Sequence, residues 1–241
     1  MKAFVVDGYG GADRVRPGEV PLSEMREDDA LIEIHAAGVN PLDSRIRDGA
    51  FKAFLPYRLP LILGIEFAGV VIRVGSRVRR FKPGDEVYAR PDKIRIGTFA
   101  EAIAVKEDDL ANKPQSLTME EAASIPLVGL TAWQALIERA QLKKGQTVLI
   151  HAGSGGVGTF AIQLAKHVGA TVATTTSTAN VDLVRRLGAD RVIDYRKDSF
   201  EEILHDCAVV LDRVFPFEST KEALAYVETG RAKGKVVVKI R

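Results

Sequence analysis

The amino-acid sequence predicts an α/β protein in which a β-rich first part precedes a second part that alternates strands with helices. Short β-branched or alternating runs, separated by glycine, proline and charged residues, predict the strands of the first part. A Lys-Pro-Gly-Asp turn at residues 82–85 supports the fourth of them. Many short strands at close spacing are typical of a barrel or a partly open sheet. We expect these strands at residues 2–7, 30–36, 67–74, 86–89 and 99–105.

The pattern changes to helix at Thr118. Thr118 and Glu121 have the spacing of a capping box, in which a hydroxyl and an acid three residues later satisfy the first amides of a helix. We expect this helix to break at Pro126 and to resume over residues 130–139. The strands and helices that alternate beyond it predict a parallel sheet with right-handed crossovers. The strands of this series are expected at 147–152, 171–176, 191–195 and 208–212, and its helices at 157–168, 180–187 and 200–205. A further helix at 220–229 and a final strand at 235–240 follow the series.

The composition is that of an ordinary globular protein, with 46% hydrophobic and 27% charged residues among 241. The 34 Lys and Arg against 32 Asp and Glu, without long runs of one sign, argue against a nucleic-acid or membrane partner. The single cysteine, Cys207, excludes an internal disulfide and a cysteine zinc cluster. The early acid at Asp7 and the interrupted apolar stretch 59–72 resemble neither a signal peptide nor a membrane span, so we expect a cytoplasmic protein.

A glycine-rich motif of the form G-x-G-x-x-G follows the predicted strand 147–152 directly. Its first glycine makes a tight turn, its second lets backbone amides approach a pyrophosphate, and its third permits close helix–strand packing. The helix that follows aims its N-terminal amides at the phosphates. Because the motif lies between a predicted strand and a predicted helix, it indicates a dinucleotide site rather than a flexible loop. The motif residues are Gly153, Ser154, Gly155, Gly156, Val157 and Gly158.

The end of the second strand of this alternating region indicates which dinucleotide binds. NAD sites usually place an acid there to bind the ribose 2′-hydroxyl. Residues 174–180 carry hydroxyls and one amide but no acid, which favours NADP(H) over NAD(H). Arg185 and Arg186 either supply positive charge to the 2′-phosphate or lie on a solvated helix face.

Together these features resemble the zinc-independent quinone oxidoreductase branch of the medium-chain dehydrogenase/reductase superfamily, and within it the NADPH-dependent alkenal/enone oxidoreductases. The resemblance implies a GroES-like β-rich catalytic domain and a shortened Rossmann-type parallel-sheet domain for NADP(H), with a C-terminal segment that returns to the first domain. The corresponding boundaries are 1–117, 118–218 and 219–241. The matching segments are 35–43, 63–71, 81–88, 130–133, 153–168, 187–195, 215–217 and 234–238.

The same resemblance implies the residues of the site. Zinc-dependent relatives carry a Cys at the position of Asn40 and a His at that of Ile65, so no catalytic zinc is expected here. Gly156 and Val157 are expected to meet the pyrophosphate. The 2′-phosphate end of the cofactor is expected to be surrounded by Ser177, Thr178, Asn180 and Tyr195, and the nicotinamide and substrate cleft to be lined by Asn40, Asp43, Arg45 and Thr131.

The implied reaction is hydride transfer to a quinone or to the β-carbon of an α,β-unsaturated carbonyl, with the Asn40 amide donating to the carbonyl oxygen. Each assigned residue also has a purely structural interpretation. Asn40 is then part of a turn, Asp43 a first-turn helix acid, Arg45 a solvated helix residue and Thr131 a mid-helix hydroxyl. No general acid is identified.

The resemblance breaks after Asp212, where the family continues with further βα units and residues 213–217 instead match the region near the family's C-terminus. An internal deletion of about 80–100 residues, natural or engineered, accounts for both matching flanks. The missing half-sheet normally supports the nicotinamide and provides the dimerising edge strand, so impaired turnover is expected and a homodimer is in doubt. The alternatives are a non-catalytic NADP(H)-binding or interaction module and an engineered minimal variant of such an enzyme.

Overall fold

The computed structural model describes residues 1–199, 211–216, 219, 222 and 235–239. The chain divides into two compact units, Met1–Leu127 and Val128–Arg241. No helix among the described residues is both long and apolar enough to cross a membrane.

The first unit is built from two antiparallel sheets. The smaller sheet has the strand order β2-β1-β4, and the larger sheet the order β7-β3-β5-β6-β8. The strands are β1 (Lys2–Val6), β2 (Val15–Glu19), β3 (Asp29–Ala37), β4 (Leu61–Ile62), β5 (Phe67–Val74), β6 (Glu86–Ala89), β7 (Ala102–Lys106) and β8 (Leu110–Asn112).

The larger sheet holds the main core of this unit. Its inward side chains, among them Ile32, Phe67 and Val87, are completely buried. The pairing of β3 with β5 shifts register at Leu31/Ile32 and at Ile34/Ala36, and such irregularities bend a strand and increase its twist. The bends in β3 and β5, together with the shortness of the neighbouring strands, agree with the barrel-like or partly open sheet that the sequence predicts.

Asp29 is the most deeply buried charged residue of this unit among those that the structure describes. Asp29, the first residue of β3, has no exposed surface, and its two carboxylate oxygens accept from Arg95 Nη1 and Nη2 at 2.8 and 2.6 Å. The Arg26 amide donates to Asp29 Oδ2 at 2.8 Å. Burial raises the pKa of Asp29, but the hydrogen bonds from Arg95 and Arg26 outweigh it and hold the pKa below the ordinary value.

Two short helices complete the first unit. In α1 (Pro41–Arg47), proline occupies the first helical position, where its missing N–H costs nothing. In α2 (Met119–Ala123), the predicted capping box is confirmed, because the Glu121 amide donates to Thr118 Oγ1 at 3.2 Å and the Thr118 amide donates to Glu121 Oε2 at 2.9 Å. Single 3₁₀ turns lie at Ala12–Arg14 and Glu107–Asp109.

The second unit contains a parallel sheet of order β11-β10-β9 with helices between its strands. Apolar residues of α4, among them Ala161, Ile162 and Ala165, pack against Ile150 and Val172 of the sheet. The elements are α3 (Pro126–Trp133), a π-helical segment Gln134–Arg139, β9 (Thr147–Ile150), α4 (Gly156–Val168), β10 (Thr171–Thr176), a 3₁₀ turn Thr178–Asn180, α5 (Val181–Arg186) and β11 (Arg191–Asp194).

The last two described strands form a sheet of their own. β12 (Leu211–Pro216) pairs with β13 (Lys235–Lys239) in parallel, whereas the strand expected at 208–212 was predicted to continue the parallel sheet. The three successive valines at 236–238 have high β propensity and give β12 this partner. The boundaries at residues 117 and 218, and the return of residues 219–241 to the first domain, stay predictions.

The predicted fold class is confirmed, and the differences concern individual elements. The helix expected to resume at residue 130 begins at Pro126, since proline is well tolerated at a first helical position. The strand expected from residue 99 begins at Ala102, because Phe99 and Ala100 pair with β1 through the Phe4 amide and a bridge to Ala3. Strands β2, β4 and β8 were not predicted. The predicted helices 200–205 and 220–229, residues 208–210 of a predicted strand, and Cys207 lie outside the described residues.

Candidate functional site

The first group of candidate residues lies where β3 gives way to α1. Asn40 is the N-cap of α1, directly before Pro41, and it is half-buried. The Asn40 amide donates to Asp43 Oδ2 at 2.7 Å, and the Asp43 amide donates to the Asn40 carbonyl at 2.9 Å. These two bonds satisfy helix-terminal groups that have no partner inside the helix, and they fix the backbone on which Asn40 sits.

Glu66, the residue directly before β5, holds the Asn40 side chain through a hydrogen bond. Asn40 Nδ2 donates to Glu66 Oε1 at 2.6 Å, and the Leu127 amide donates to Glu66 Oε2 at 2.7 Å. Glu66 is 2% exposed. A Cβ atom on Gly38 would lie 2.4 Å from Glu66 Oε1, so only glycine leaves room for the carboxylate at that position.

Sequence reasoning did not select Glu66 as a site residue. Its signal was an acid within the apolar run 61–72, where burial of a charge needs hydrogen-bond donors. Those donors come from residues 26 and 61 positions away in the sequence, which spacing alone does not bring together.

Asp43 is buried beside this pair, at 3% exposure. Burial raises the pKa of Asp43, the amides of Asn40 and Gly64 oppose that rise, and the negative charge of Glu66 adds to it. Asp43 therefore contacts the Asn40 backbone as a first-turn helix acid. Arg45 lies on the exposed side of α1, and Thr131 is exposed on α3 in the second unit.

The glycine-rich loop of the second unit has the shape that its motif predicts. Gly153 and Gly158 are buried, and added Cβ atoms would come within 2.0 Å of Thr174 Oγ1 and 2.4 Å of the Ala152 carbonyl oxygen respectively. These two glycines therefore allow the loop to pack on the sheet and the helix to approach the loop. Gly155, Gly156 and Val157 are exposed at the start of α4, where no side chain caps the helix.

Hydroxyl and amide groups gather at the ends of β9 and β10 beside this loop. Ser154 Oγ accepts from Thr176 Oγ1 at 3.0 Å and from Asn180 Nδ2 at 3.2 Å. Asn180 Nδ2 also lies 3.3 Å from Ser177 Oγ. The structure thus brings together two of the residues expected around a 2′-phosphate, Ser177 and Asn180 after β10, and adds Ser154, which was predicted as part of the glycine-rich loop.

The other two residues expected there are Thr178, in the turn after β10, and Tyr195, directly after β11. The Thr178 hydroxyl donates to Asp194 Oδ2 at 2.6 Å, so this hydroxyl is already committed to a protein acceptor. That hydrogen bond, together with the Arg196 amide, lowers the pKa of Asp194 despite its burial. Tyr195 follows Asp194 and is 58% exposed.

The positive charges of this region differ from those that the sequence suggested. Arg185 and Arg186 occupy the last turn of α5, both exposed, and Arg185 pairs with Asp182 at 3.9 Å. The hydroxyl and amide groups precede the first turn of the same helix, so the structure favours the interpretation of a solvated helix face for both arginines. Arg196 follows Tyr195 directly, and sequence reasoning missed it because it belongs to no motif.

These residues fit the phosphates of a dinucleotide. An uncapped helix start offers backbone N–H groups, exposed glycines let a ligand approach the backbone, and neutral donors with no acid among them line the end of β10. Among the described residues, no group of three or more His, Cys, Asp or Glu side chains is placed to hold a metal ion.

Two family models match the chain. The model described as alcohol dehydrogenase GroES-like domain matches residues 26–115, and the model described as zinc-binding dehydrogenase matches residues 156–238.

Curated relatives match at about two fifths identity. The chain is 43% identical over 223 residues to the Arabidopsis thaliana protein named NADPH-dependent alkenal/one oxidoreductase, chloroplastic, a match that covers 89% of the chain and 57% of the relative. It is 42% identical over 247 residues to the Solanum lycopersicum 2-methylene-furan-3-one reductase, covering 99% of the chain and 62% of the relative. The chain therefore spans about three fifths of the length of these relatives.

Solved structures of similar fold agree with these matches. The quinone oxidoreductase from Coxiella burnetii aligns with a TM-score of 0.77 and 29% identity, over 100% of this chain and 99% of that one. The Escherichia coli quinone oxidoreductase complexed with NADPH aligns with a TM-score of 0.78 and 27% identity, over 100% of this chain and 81% of that one. Because the two family models together match most of the chain, the chain belongs to the medium-chain dehydrogenase/reductase superfamily, and the relatives to which it is similar there are named alkenal/one and quinone oxidoreductases.

Proposed function

We propose that the protein binds NADP(H) and transfers hydride to a quinone or an α,β-unsaturated carbonyl without a catalytic zinc. The observation that carries this proposal is the group of neutral donors, Ser154, Ser177 and Asn180, beside an uncapped glycine-rich helix start. Relatives that are named NADPH-dependent alkenal/one oxidoreductase and quinone oxidoreductase complexed with NADPH support the same activity.

In the proposed site the second unit holds the cofactor. The amides of Gly156 and Val157 donate to the pyrophosphate from the helix start. Ser177 and Asn180 donate to the 2′-phosphate, with Arg196 adding a positive charge at the same end. Tyr195 offers an exposed ring to the adenosine end, and Gly153, Gly155 and Gly158 keep the loop free of side chains.

In the first unit Asn40 performs the chemistry that zinc supplies elsewhere in the superfamily. Bound NADPH supplies the hydride. The Asn40 side-chain amide donates to the substrate carbonyl oxygen, where negative charge develops during the transfer. Asp43 holds the Asn40 backbone through its carboxylate and acts as a positioning residue. Arg45 and Thr131 are proposed to line the substrate and nicotinamide cleft.

Further proposals concern the rest of the molecule. An internal deletion after Asp212 accounts for the chain's shorter length against its relatives. Because the family's dimerising edge strand falls in the proposed deletion, we keep the homodimer in doubt. We propose a small-molecule substrate, no nucleic-acid or membrane partner, and a cytoplasmic location, although the curated relative from Arabidopsis thaliana is named chloroplastic.

Calorimetric titration with NADPH and NADH tests the cofactor, and NADPH consumption across a panel of quinones and alkenals tests the activity. We expect NADPH to bind at least about tenfold more tightly than NADH, the effect of roughly one charge-assisted hydrogen bond. Arg196→Gln is expected to weaken NADPH binding about fivefold and to leave NADH binding unchanged. The matched control is Arg185→Gln, which removes an exposed charge at the end of α5 that lies away from Ser177 and Asn180. It is expected to change neither NADPH binding nor NADH binding. Equal affinity for the two cofactors, or no binding by a folded sample, would overturn the proposal.

A further inference from the structure

Glu66 is a buried carboxylate that the proposed reaction does not use. It is 2% exposed, and no ion pair with Lys, Arg or His is formed by it within the described part of the chain. Burying a charge without a counterion is costly unless hydrogen bonds replace its water. Each Glu66 oxygen accepts one such bond, from Asn40 Nδ2 at 2.6 Å and from the Leu127 amide at 2.7 Å.

The two donors differ in their freedom. The Leu127 N–H belongs to the backbone at the start of α3 and cannot become an acceptor. The Asn40 side chain is a primary amide, which presents either its NH₂ or its oxygen to a neighbour by turning about its last bond. A carboxylate that receives the backbone N–H on one oxygen offers only an acceptor on the other, so Asn40 must present its NH₂.

We propose that Glu66 is a positioning residue that sets the orientation of the Asn40 side-chain amide. One N–H of Asn40 is held by Glu66, which leaves the second N–H to donate to the substrate carbonyl oxygen. The inference rests on the proposed function, because the fixed amide matters only if it meets a substrate oxygen.

Glu66→Gln tests the inference because it reverses the amide with almost no change of shape. The glutamine oxygen must accept the Leu127 N–H, so the glutamine NH₂ faces Asn40. Asn40 then satisfies it only by turning its oxygen inward, which moves both N–H groups away from their original positions. We expect kcat to fall by about tenfold to a hundredfold, the usual cost of losing one donor at a developing oxyanion being at or above this range.

Three further quantities separate positioning from general damage. The NADPH dissociation constant and the KM for NADPH are expected to stay within twofold of wild type. The melting temperature is expected to change by less than about 4 °C, because both hydrogen bonds are re-formed with the amides reversed. Glu33→Gln, which alters an exposed carboxylate on β3, is the matched control and is expected to change none of these values.

A spectroscopic measurement on the wild-type protein tests the contact even if Glu66→Gln does not fold. The chain contains three asparagines, Asn40, Asn112 and Asn180, so ¹⁵N-asparagine labelling gives three side-chain NH₂ pairs. We expect one Asn40 proton to be shifted downfield and to exchange more slowly than the protons of Asn112, which is exposed. Exchange of both Asn40 protons at the Asn112 rate would overturn the inference.

The outcomes also separate this inference from the proposed function. If wild type consumes NADPH and Glu66→Gln retains its kcat within twofold, the positioning role is wrong and the proposed function stands. If the Asn40 proton is protected but wild type consumes no NADPH with any quinone or alkenal, the proposed function is wrong, and the role of Glu66 in turnover fails with it.

Discussion

The polar groups around Asn40 and those around the glycine-rich loop are held in opposite ways. Around Asn40 the carboxylates of Asp43 and Glu66 are buried, and the hydrogen bonds described here link them to other protein groups. Around the loop, the glycines at the start of α4 are exposed and no side chain caps the helix. The first arrangement fixes the geometry of one amide, whereas the second keeps backbone donors available to a ligand.

This contrast predicts different responses to mutation in the two units. In the first unit, the largest effect should come from removing a partner of a buried charge, because the remaining charge has no water to replace it. In the second unit, it should come from adding atoms where the backbone is already in close contact.

In the first unit, Arg95→Ala should lower the stability of the protein more than any other variant described below. It leaves Asp29 fully buried without its cation, which we expect to lower the free energy of unfolding by about 3 kcal/mol, the low end for a broken buried pair because Arg95 is itself partly exposed. Chemical denaturation at neutral pH measures this loss. The control is Arg77→Ala, whose exposed ion pair with Glu27 should contribute about 0.5 kcal/mol or less.

The Arg95 pair also has a definite pH dependence. The pKa of Asp29 is lower in the folded than in the unfolded chain, so its contribution to stability is complete above the unfolded value of about 3.9 and is lost as the pH falls through the folded value. Arg95→Ala should therefore flatten the loss of stability on acidification. An equally steep acid transition in the variant would contradict the assignment.

In the second unit, Gly158→Ala should disrupt the close packing between the glycine-rich loop and α4. The added Cβ would lie 2.4 Å from the Ala152 carbonyl oxygen and 2.7 Å from Gly153 Cα, and backbone atoms cannot move away as a side-chain end does. We expect a loss of about 1–3 kcal/mol in stability together with weaker NADPH binding, measured by thermal unfolding and calorimetry. Gly8→Ala is the control, since its Cβ would meet nothing within 4 Å. Unchanged stability of Gly158→Ala would show that the helix and the loop are not in close contact.

Asp43→Asn should have the smallest of these effects on stability, and that effect should depend on pH. The pKa of Asp43 is raised in the folded state, so the folded chain binds more protons than the unfolded chain between the two pKa values, and stability falls as the pH rises through that window. Asparagine can still accept the Asn40 amide but carries no charge. We expect the variant to be more stable than wild type at pH 7 by about 1 kcal/mol and equal to it near pH 3. Urea denaturation across this range measures the difference.

The exposed Asp13→Asn variant is the control for this titration. The raised pKa of Asp43 would be contradicted if, between pH 4 and 7, the free energy of unfolding rose by more in wild type than in Asp43→Asn.

Much of the second unit could be predicted from local sequence. The strand–loop–helix order around Gly153 to Gly158 fixes the loop's shape, because the glycine contacts needed there involve neighbours within the same βαβ unit. The bounds of β10 agreed with the prediction at both ends, since all but one of its residues are β-branched and no glycine or proline interrupts them. The positions of Arg185 and Arg186 were less predictable, because they depend on where a short helix begins and ends.

For the first unit, the sequence predicted the strands but not the hydrogen bonds that link its buried carboxylates to distant residues. The bounds of β5 and β6 followed from β-branched runs and turn residues. Glu66 was missed as a site residue, and Asp29 was not expected to be buried, because the partners that make a buried carboxylate tolerable lie 61 and 66 residues away. Local patterns carry no information about such pairs.

The sequence by itself determined the fold class, the dinucleotide-binding loop and the family, because periodicity, glycine spacing and residue type act over a few neighbouring residues. Only the tertiary structure decided that Asn40 meets Glu66, that Asp43 is buried beside them, and that the Thr178 hydroxyl is committed to Asp194. Hydrogen bonds and burial depend on which distant segments meet, and that is set when the sheets and helices pack together.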